Sequence, residues 1–122
     1  MQTSGIVVTI AAVIGLAGIA SAADPLEVAP EMYKKDFENE RVRVMTVILP
    51  PGKSIPEHSH PDHFVYALET GSVKITKPTG EVAEMTPKVG DVVWIPAETH
   101  SAVNTGSTTV KLLVIELKPQ GD

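Results

Sequence analysis

The sequence has no cysteine among its 122 residues. That excludes disulfide staples, thiolate metal ligands and thiol nucleophiles together. It also has no basic run: 10 Lys and Arg stand against 15 Asp and Glu, for a formal charge of −5. Nucleic-acid phosphates demand clustered cations, so the composition argues against that class of partner. Charge of either sign is absent from the first 23 residues. Inside that stretch Ile6 to Ala20 is apolar, and Ala20, Ser21 and Ala22 supply the small residues that a signal peptidase prefers. Residues 1–22 therefore predict a secretory signal, leaving one domain over residues 23–122 in the periplasm or outside the cell. A positive n-region is missing too, which leaves a retained N-terminal anchor, and with it a membrane, as the competing expectation. The sequence offers no Ser-His-Asp arrangement, no phosphate-cradling glycine loop and no carboxylate pair at glycosidase spacing.

What is present is a series of short β-branched runs punctuated by turn residues. "RVRVMTVIL" (Arg41 to Leu49) alternates, with Val42, Val44, Thr46 and Ile48 on one face, and Pro50 to Gly52 break it. "FVYALE" (Phe64 to Glu69) and "SVKIT" (Ser72 to Thr76) flank a Thr-Gly pair, which reads as a hairpin turn. "VVWIP" (Val92 to Pro96), "SAVN" (Ser101 to Asn104) and "TVKLLVIEL" (Thr109 to Leu117) complete the set. Pro30 to Glu40 is read as a strand ending in a turn at residues 38–40, with a short helix as the alternative. No segment sustains a helical period with caps. The spacing of turns predicts an all-β sandwich or barrel. A domain of about a hundred residues buries only a thin core, which a metal or a dimer interface would reinforce.

Three of the four histidines fall within "PEHSHPDHF", residues 56–64, and the fourth is His100 in "PAETHSAVN". On an extended strand His58 and His60 point to the same side, about 6.6–6.8 Å apart. Two imidazoles so placed can converge on one cation at about 2.0–2.2 Å. His63 follows a Pro61–Asp62 bend and can return toward the same centre, and barrel closure can bring the strand of His100 alongside. An H-x-H in a loop is equally a solvated polar turn, and spacing alone leaves both readings open.

The two stretches together resemble the motifs of the cupins. Gly52, five residues and His58-Ser59-His60 are similar to the first motif, G-x5-H-x-H. Gly90, five residues, Pro96, then His100 and Asn104 are similar to the second. The resemblance implies a double-stranded β-helix (jelly-roll) barrel, usually a homodimer, holding one divalent metal. It also implies His58, His60 and His100 as ligands. The family's ligating glutamate is missing. Counting from His60 places its position on Phe64, which cannot bind metal, whereas counting back from "VYALE" places it on His63. His63 is preferred, and Asp62 is a weaker third candidate.

A nitrogen-only shell favours Fe(II), Zn(II), Ni(II) or Cu(II) over Mn(II), and leaves more positive charge on the metal than a shell with glutamate. Tyr66 is the candidate catalytic proton donor, with packing as its competing role; the one-residue register decides whether it reaches the cavity. Trp94 is expected either buried in the core or packed on a substrate. Glu98 either orients His100 or is solvated, and Asn104 bonds locally at a turn. Arg41 and Arg43 share a strand face and could clamp a carboxylate, with solvent exposure as the default.

Two function classes follow. One is a metal-dependent enzyme of oxygenase, lyase or isomerase type acting on a small organic acid or enolisable compound. The other is a binding module for a metal or small ligand, without turnover. Family analogy leans toward the enzyme.

Overall fold

The computed structural model describes residues 23–120; the expected signal lies outside them. The chain enters through one helical turn, α1 (Pro25–Val28), which the β-rich pattern did not suggest. Asp24 caps it, its Oδ1 accepting from the Leu26 amide at 2.8 Å, and Pro25 presets the first helical position. Among the described residues nine strands follow: β1 (Tyr33–Glu38), β2 (Val42–Leu49), β3 (Ser54–His60), β4 (His63–Glu69), β5 (Val73–Thr76), β6 (Val82–Met85), β7 (Val92–Ile95), β8 (Glu98–Asn104) and β9 (Val110–Leu117). They form two antiparallel sheets, ordered β1-β2-β9-β4-β7 and β3-β8-β5-β6. The Pro30–Glu40 segment is therefore a strand for most of its length, as expected.

The sheets face one another across the core, Met45, Val47, Val65 and Val114 from the first meeting Ile55, Val73 and Ala102 from the second. This is the double-stranded β-helix. Alternation fixes which side of each strand is buried. On β2 the inward residues are Met45, Val47 and Leu49. The apolar set read from the sequence, Val42, Val44, Thr46 and Ile48, faces out.

The expected hairpin at Thr70–Gly71 does not form. β4 pairs with β7 and β9, while β5 pairs with β6 and β8, so the chain crosses between sheets there. Gly71 is required by closeness rather than by turn type, because a Cβ there would sit 2.5 Å from Val110 Cγ2. The crossing from β2 to β3 uses Gly52 at a φ of +77°, a conformation glycine adopts without strain.

One irregularity places the histidines. β3 pairs with β8, and its register shifts between Ile55 and His58. The bulge lets Ile55 and His58, three residues apart, both point inward, with Pro56 where its missing N–H costs nothing. From His58 onward normal alternation resumes, so His60 also points in.

Candidate metal centre

All four histidines are buried within the barrel. β3 contributes His58 and His60, the start of β4 contributes His63, and β8 contributes His100, which lies directly opposite His58 in the β3–β8 ladder. The ring centroids of His58 lie 4.8 Å from those of His60 and of His100, and His60 lies 4.5 Å from His63. His58, His60 and His100 each offer a ring nitrogen within 4.8 Å of the other two. His63 stands beside His60, outside that mutually close set.

The orientation of the rings is dictated from behind. His58 Nδ1–H donates to the Pro56 carbonyl at 2.7 Å, and His63 Nδ1–H donates to the Pro61 carbonyl at 2.8 Å. A carbonyl can only accept, so the tautomer of both rings is fixed with Nε2 as a lone pair. His60 Nδ1–H donates to Glu116 Oε2 at 2.7 Å, and His100 Nδ1–H to Glu98 Oε2 at 2.5 Å. Every Nδ1 is thus occupied outward, leaving each Nε2 for the interior. Such outer partners orient metal-binding imidazoles and raise their basicity. Three of the four acceptors come from the residue two before the histidine: Pro56, Pro61 and Glu98.

Burial favours neutral rings. Desolvation pulls His58 down to about 4, and it pulls His60 down to about 3 with help from the His63 and His100 rings. His63 is lowered as well, chiefly by burial. Neutral imidazole is the form that binds metal, so protons do not compete near neutral pH. Four buried nitrogen donors with fixed tautomers fit a borderline divalent ion.

Behind His60 lies a charge relay. Glu116 Oε1 accepts from Arg43 Nε at 3.0 Å, and Arg43 reaches on to both carboxylate oxygens of Asp24 at 2.9 and 3.2 Å. Burial raises the Glu116 pKa, partly opposed by Arg43, while Arg43 is held charged by Asp24 and Glu116 against its own desolvation. Arg43 is thus not solvated; it clamps carboxylates belonging to the protein itself. The carboxylates of Glu116 and Glu98 also restore negative charge behind the nitrogen shell, offsetting the strongly positive centre that a shell without glutamate implies. Glu116→Gln keeps the shape but removes that charge; divalent-metal affinity by titration calorimetry should fall about 10–100-fold, the usual effect of an outer-shell partner.

The remaining site residues separate cleanly. Phe64 and Tyr66 lie on the face of β4 opposite His63, half-exposed, so the register that turns His63 inward is the one realised. Tyr66 is therefore corrected as a catalytic candidate: alternation sends it to the outer surface. Trp94 is neither core nor cavity, since it stacks edge-on against Phe64 at 4.9 Å on that outer face. Asp62 points away, its Oδ1 accepting from the Ala97 amide at 2.8 Å. Asn104 is buried and ties strand ends together, donating to the carbonyls of Leu49 and Thr108 at 2.8 Å each.

Sequence reasoning missed Tyr33, Glu116 and Asp24. Tyr33 is buried on β1, and its hydroxyl donates to His58 Nε2 at 3.4 Å. Burial pushes its pKa up, so it remains a hydroxyl. Glu116 carried a signal: it alternates with Val110, Leu112 and Val114 on an otherwise apolar strand face. Tyr33 carried none.

The histidines form one end of a cavity whose other walls are aliphatic, including Val47, Leu49, Ile55, Val65, Ile75 and Leu112. A second hollow shares Ile75, Met85, Ile95 and His100 with it and opens past Lys77, Glu81 and Glu98. Lys77 Nζ lies 3.7 Å from a carboxylate oxygen of each of those two glutamates.

A family model described as Cupin domain matches residues 45–116. Among solved structures, a cupin domain from Bordetella pertussis Tohama I is 27% identical with a TM-score of 0.67, the match covering 72% of this chain and 93% of that one. The polyketide cyclase RemF from Streptomyces resistomycificus is also 27% identical, with a TM-score of 0.55 over 74% of this chain and 66% of that one. An RmlC-like cupin family protein with a double-stranded β-helix fold from Methanocaldococcus jannaschii is 20% identical, with a TM-score of 0.59 over 70% and 78%. No curated protein matches the sequence.

Proposed function

Because this chain belongs to the cupin-domain family, we propose that it is an exported metal-dependent enzyme acting on a small, largely apolar compound that is enolisable or carries one acidic group. The observation that carries this reading is the union of two features in one cavity. Inward-facing imidazole nitrogens stand at one end, and walls of aliphatic side chains make up the rest. His58, His60 and His100 would hold a divalent ion, with His63 beside His60 as a fourth nitrogen donor. A divalent ion bound there supplies Lewis-acid polarisation of a substrate oxygen. Among the described residues no lysine or arginine lines the deep cavity, so an acidic group of the substrate would bind at the histidine end.

The chain's own residues do the rest. The aliphatic wall excludes water and holds the carbon skeleton. Tyr33 keeps its proton and, once the His58 lone pair is committed to an ion, its hydroxyl faces the cavity as a donor to substrate oxygen. RemF, a polyketide cyclase, is consistent with a carbonyl-rich substrate class for this type of barrel. Export rests on the uncharged apolar stretch before Ala22.

The test is metal analysis of the purified chain by X-ray absorption, joined to proton NMR of simple 1,3-dicarbonyls in heavy water. The expected result is one divalent ion per chain with a shell of nitrogen ligands, and exchange of the acidic carbon-bound protons faster than the spontaneous background, an excess that chelation abolishes. A bound metal without any such exchange would favour the second reading, a metal-binding module. The specific observation behind that alternative is that, among the described residues, Tyr33 and the histidines are the cavity's only proton-carrying side chains.

A further inference from the structure

The second hollow is continuous with the deep cavity, because Ile75, Met85, Ile95 and His100 belong to the walls of both. Its outer rim is charged, whereas the deep cavity beyond the histidines is aliphatic. Alternation on β5 sends Val73, Ile75 and then Lys77 to the inner side, so Lys77 ends an otherwise apolar row. The β5–β8 ladder pairs Thr76 with Ser101, and its next step brings Lys77 beside His100. A tight turn holds Lys77 and Glu81 together at the rim. The Lys77 amide donates to the Glu81 carbonyl at 2.9 Å, and the Gly80 amide donates to the Lys77 carbonyl at 2.8 Å. Gly80 takes a φ of +93° there, which glycine adopts without strain.

Charge at the rim is balanced rather than one-sided. Lys77 Nζ lies 3.7 Å from Glu81 Oε1 and 3.7 Å from Glu98 Oε1. Both contacts are longer than a hydrogen bond, so among the described residues its N–H groups have ion-pair neighbours but no bonded acceptor. Glu98 already accepts from His100 Nδ1–H through its other oxygen. Lys77 and Glu81 are left as one charge of each sign facing the opening. We propose that this rim is a specificity subsite for a neutral hydroxyl group at the far end of the substrate. A hydroxyl accepts from Lys77 Nζ and donates to the Glu81 carboxylate at once. A carboxylate end would meet Glu81 and Glu98 as like charges, and a bare alkyl end would desolvate Lys77 without giving it a partner. The substrate is thus two-ended: an enolisable oxygen function at the histidines, an alkyl stretch against Ile75, Met85 and Ile95, and a hydroxyl between Lys77 and Glu81. The near end rests on the function proposed above, whereas the preference at the rim is read by binding, without turnover.

The experiment uses the full chain loaded with Zn(II) and three 1,3-diketones of equal chain length, ending in methyl, hydroxyl or carboxylate. Titration calorimetry gives Kd for each, and proton exchange in heavy water is followed on the same samples. The hydroxyl probe should bind about 10-fold tighter than the methyl probe, the gain from hydrogen bonding to a charged group. The carboxylate probe should bind more weakly than the hydroxyl probe. Lys77→Met keeps the aliphatic stem, removes the ammonium and should erase the hydroxyl-over-methyl ratio. Glu81→Gln, at an exposed side chain where folding is not at stake, should bring the carboxylate probe several-fold closer to the hydroxyl probe. Lys74→Met, on the opposite face of β5, should change none of the three affinities. Equal binding of the hydroxyl and methyl probes overturns the proposal. So does a hydroxyl preference that survives Lys77→Met, or a carboxylate probe that binds tightest. A hydroxyl preference without exchange upholds the subsite and overturns the catalytic reading, and exchange of all three probes at equal Kd does the reverse. If no probe binds, both fall.

Discussion

Replacing His58, His60 or His100 with alanine should abolish stoichiometric divalent-metal binding, while His63→Ala should weaken it and leave it measurable. The geometry separates the four. Three nitrogens lie within 4.8 Å of one another, so the ion's position is defined by that triangle and each corner is indispensable. Their loss should exceed the roughly 100-fold that losing an outer partner costs. His63 stands beside His60, outside the mutually close set, and the triangle remains when it is removed; a loss on the order of 10–100-fold is expected there. Titration calorimetry with Zn(II) and Ni(II), after chelator treatment, measures this directly. Circular dichroism on the metal-free variants separates loss of ligand from loss of fold. Equal losses at all four positions would make the shell symmetric; no loss at His100 would remove the centre altogether. Thermal melts give the same ranking, since an ion that binds only the folded chain stabilises it by RT ln(1 + [M]/Kd).

How much of this was legible beforehand varied with the physics involved. The strands were readable because β-branched runs and glycine–proline punctuation are local properties. His58 and His60 share a face through strand period alone, whereas the choice of His63 over Phe64 came from counting back from "VYALE" along the cupin motif that the segment resembles. Facing was harder. On β2 both sides are apolar, so the sequence cannot say whether Met45 or Val44 is inside, and the same ambiguity hid the outer sheet face. Trp94 was placed in the core on general preference, whereas the paired Phe64–Trp94 surface depends on which strands neighbour each other. The Thr70–Gly71 hairpin failed for a similar reason: a two-residue turn and a crossover between sheets share a signature, and only contact with Val110 tells them apart. The Asp24–Arg43–Glu116–His60 relay joins four segments and is invisible to any window. By contrast the Pro-x-His, Pro-x-His and Glu-x-His triplets that set three ring orientations are local, and could be sought in other sequences.

Acid should unfold the metal-free protein well before its carboxylates are all protonated. His58 titrates near 4 and His60 near 3 in the folded chain, against 6.5 for an unperturbed imidazole. Both folded values are depressed, so between these limits the unfolded chain binds more protons than the folded one, and stability falls as pH falls. It is intact above about pH 6.5 and drains away toward pH 4 for His58 and pH 3 for His60. For His58 alone the difference amounts to on the order of 3 kcal/mol, and the ring is fully buried, so solvent screening does not reduce it. For a domain of about a hundred residues that corresponds to a fall in Tm of roughly 12–24 °C. Glu116 acts in the opposite sense: its folded pKa is raised above the ordinary carboxylate value, so its contribution is gained as pH falls toward that range from above and offsets part of the histidine loss. The check is a series of melts on chelator-treated protein from pH 7.5 to 4. His58→Leu, which fills the space without a titrating group, should flatten the slope between pH 6 and 4.5 even if it shifts Tm at neutral pH. A wild-type curve flat over that window would mean that the rings are hydrated or paired in the metal-free barrel, and that the buried neutral cluster on which metal capture depends does not persist in solution.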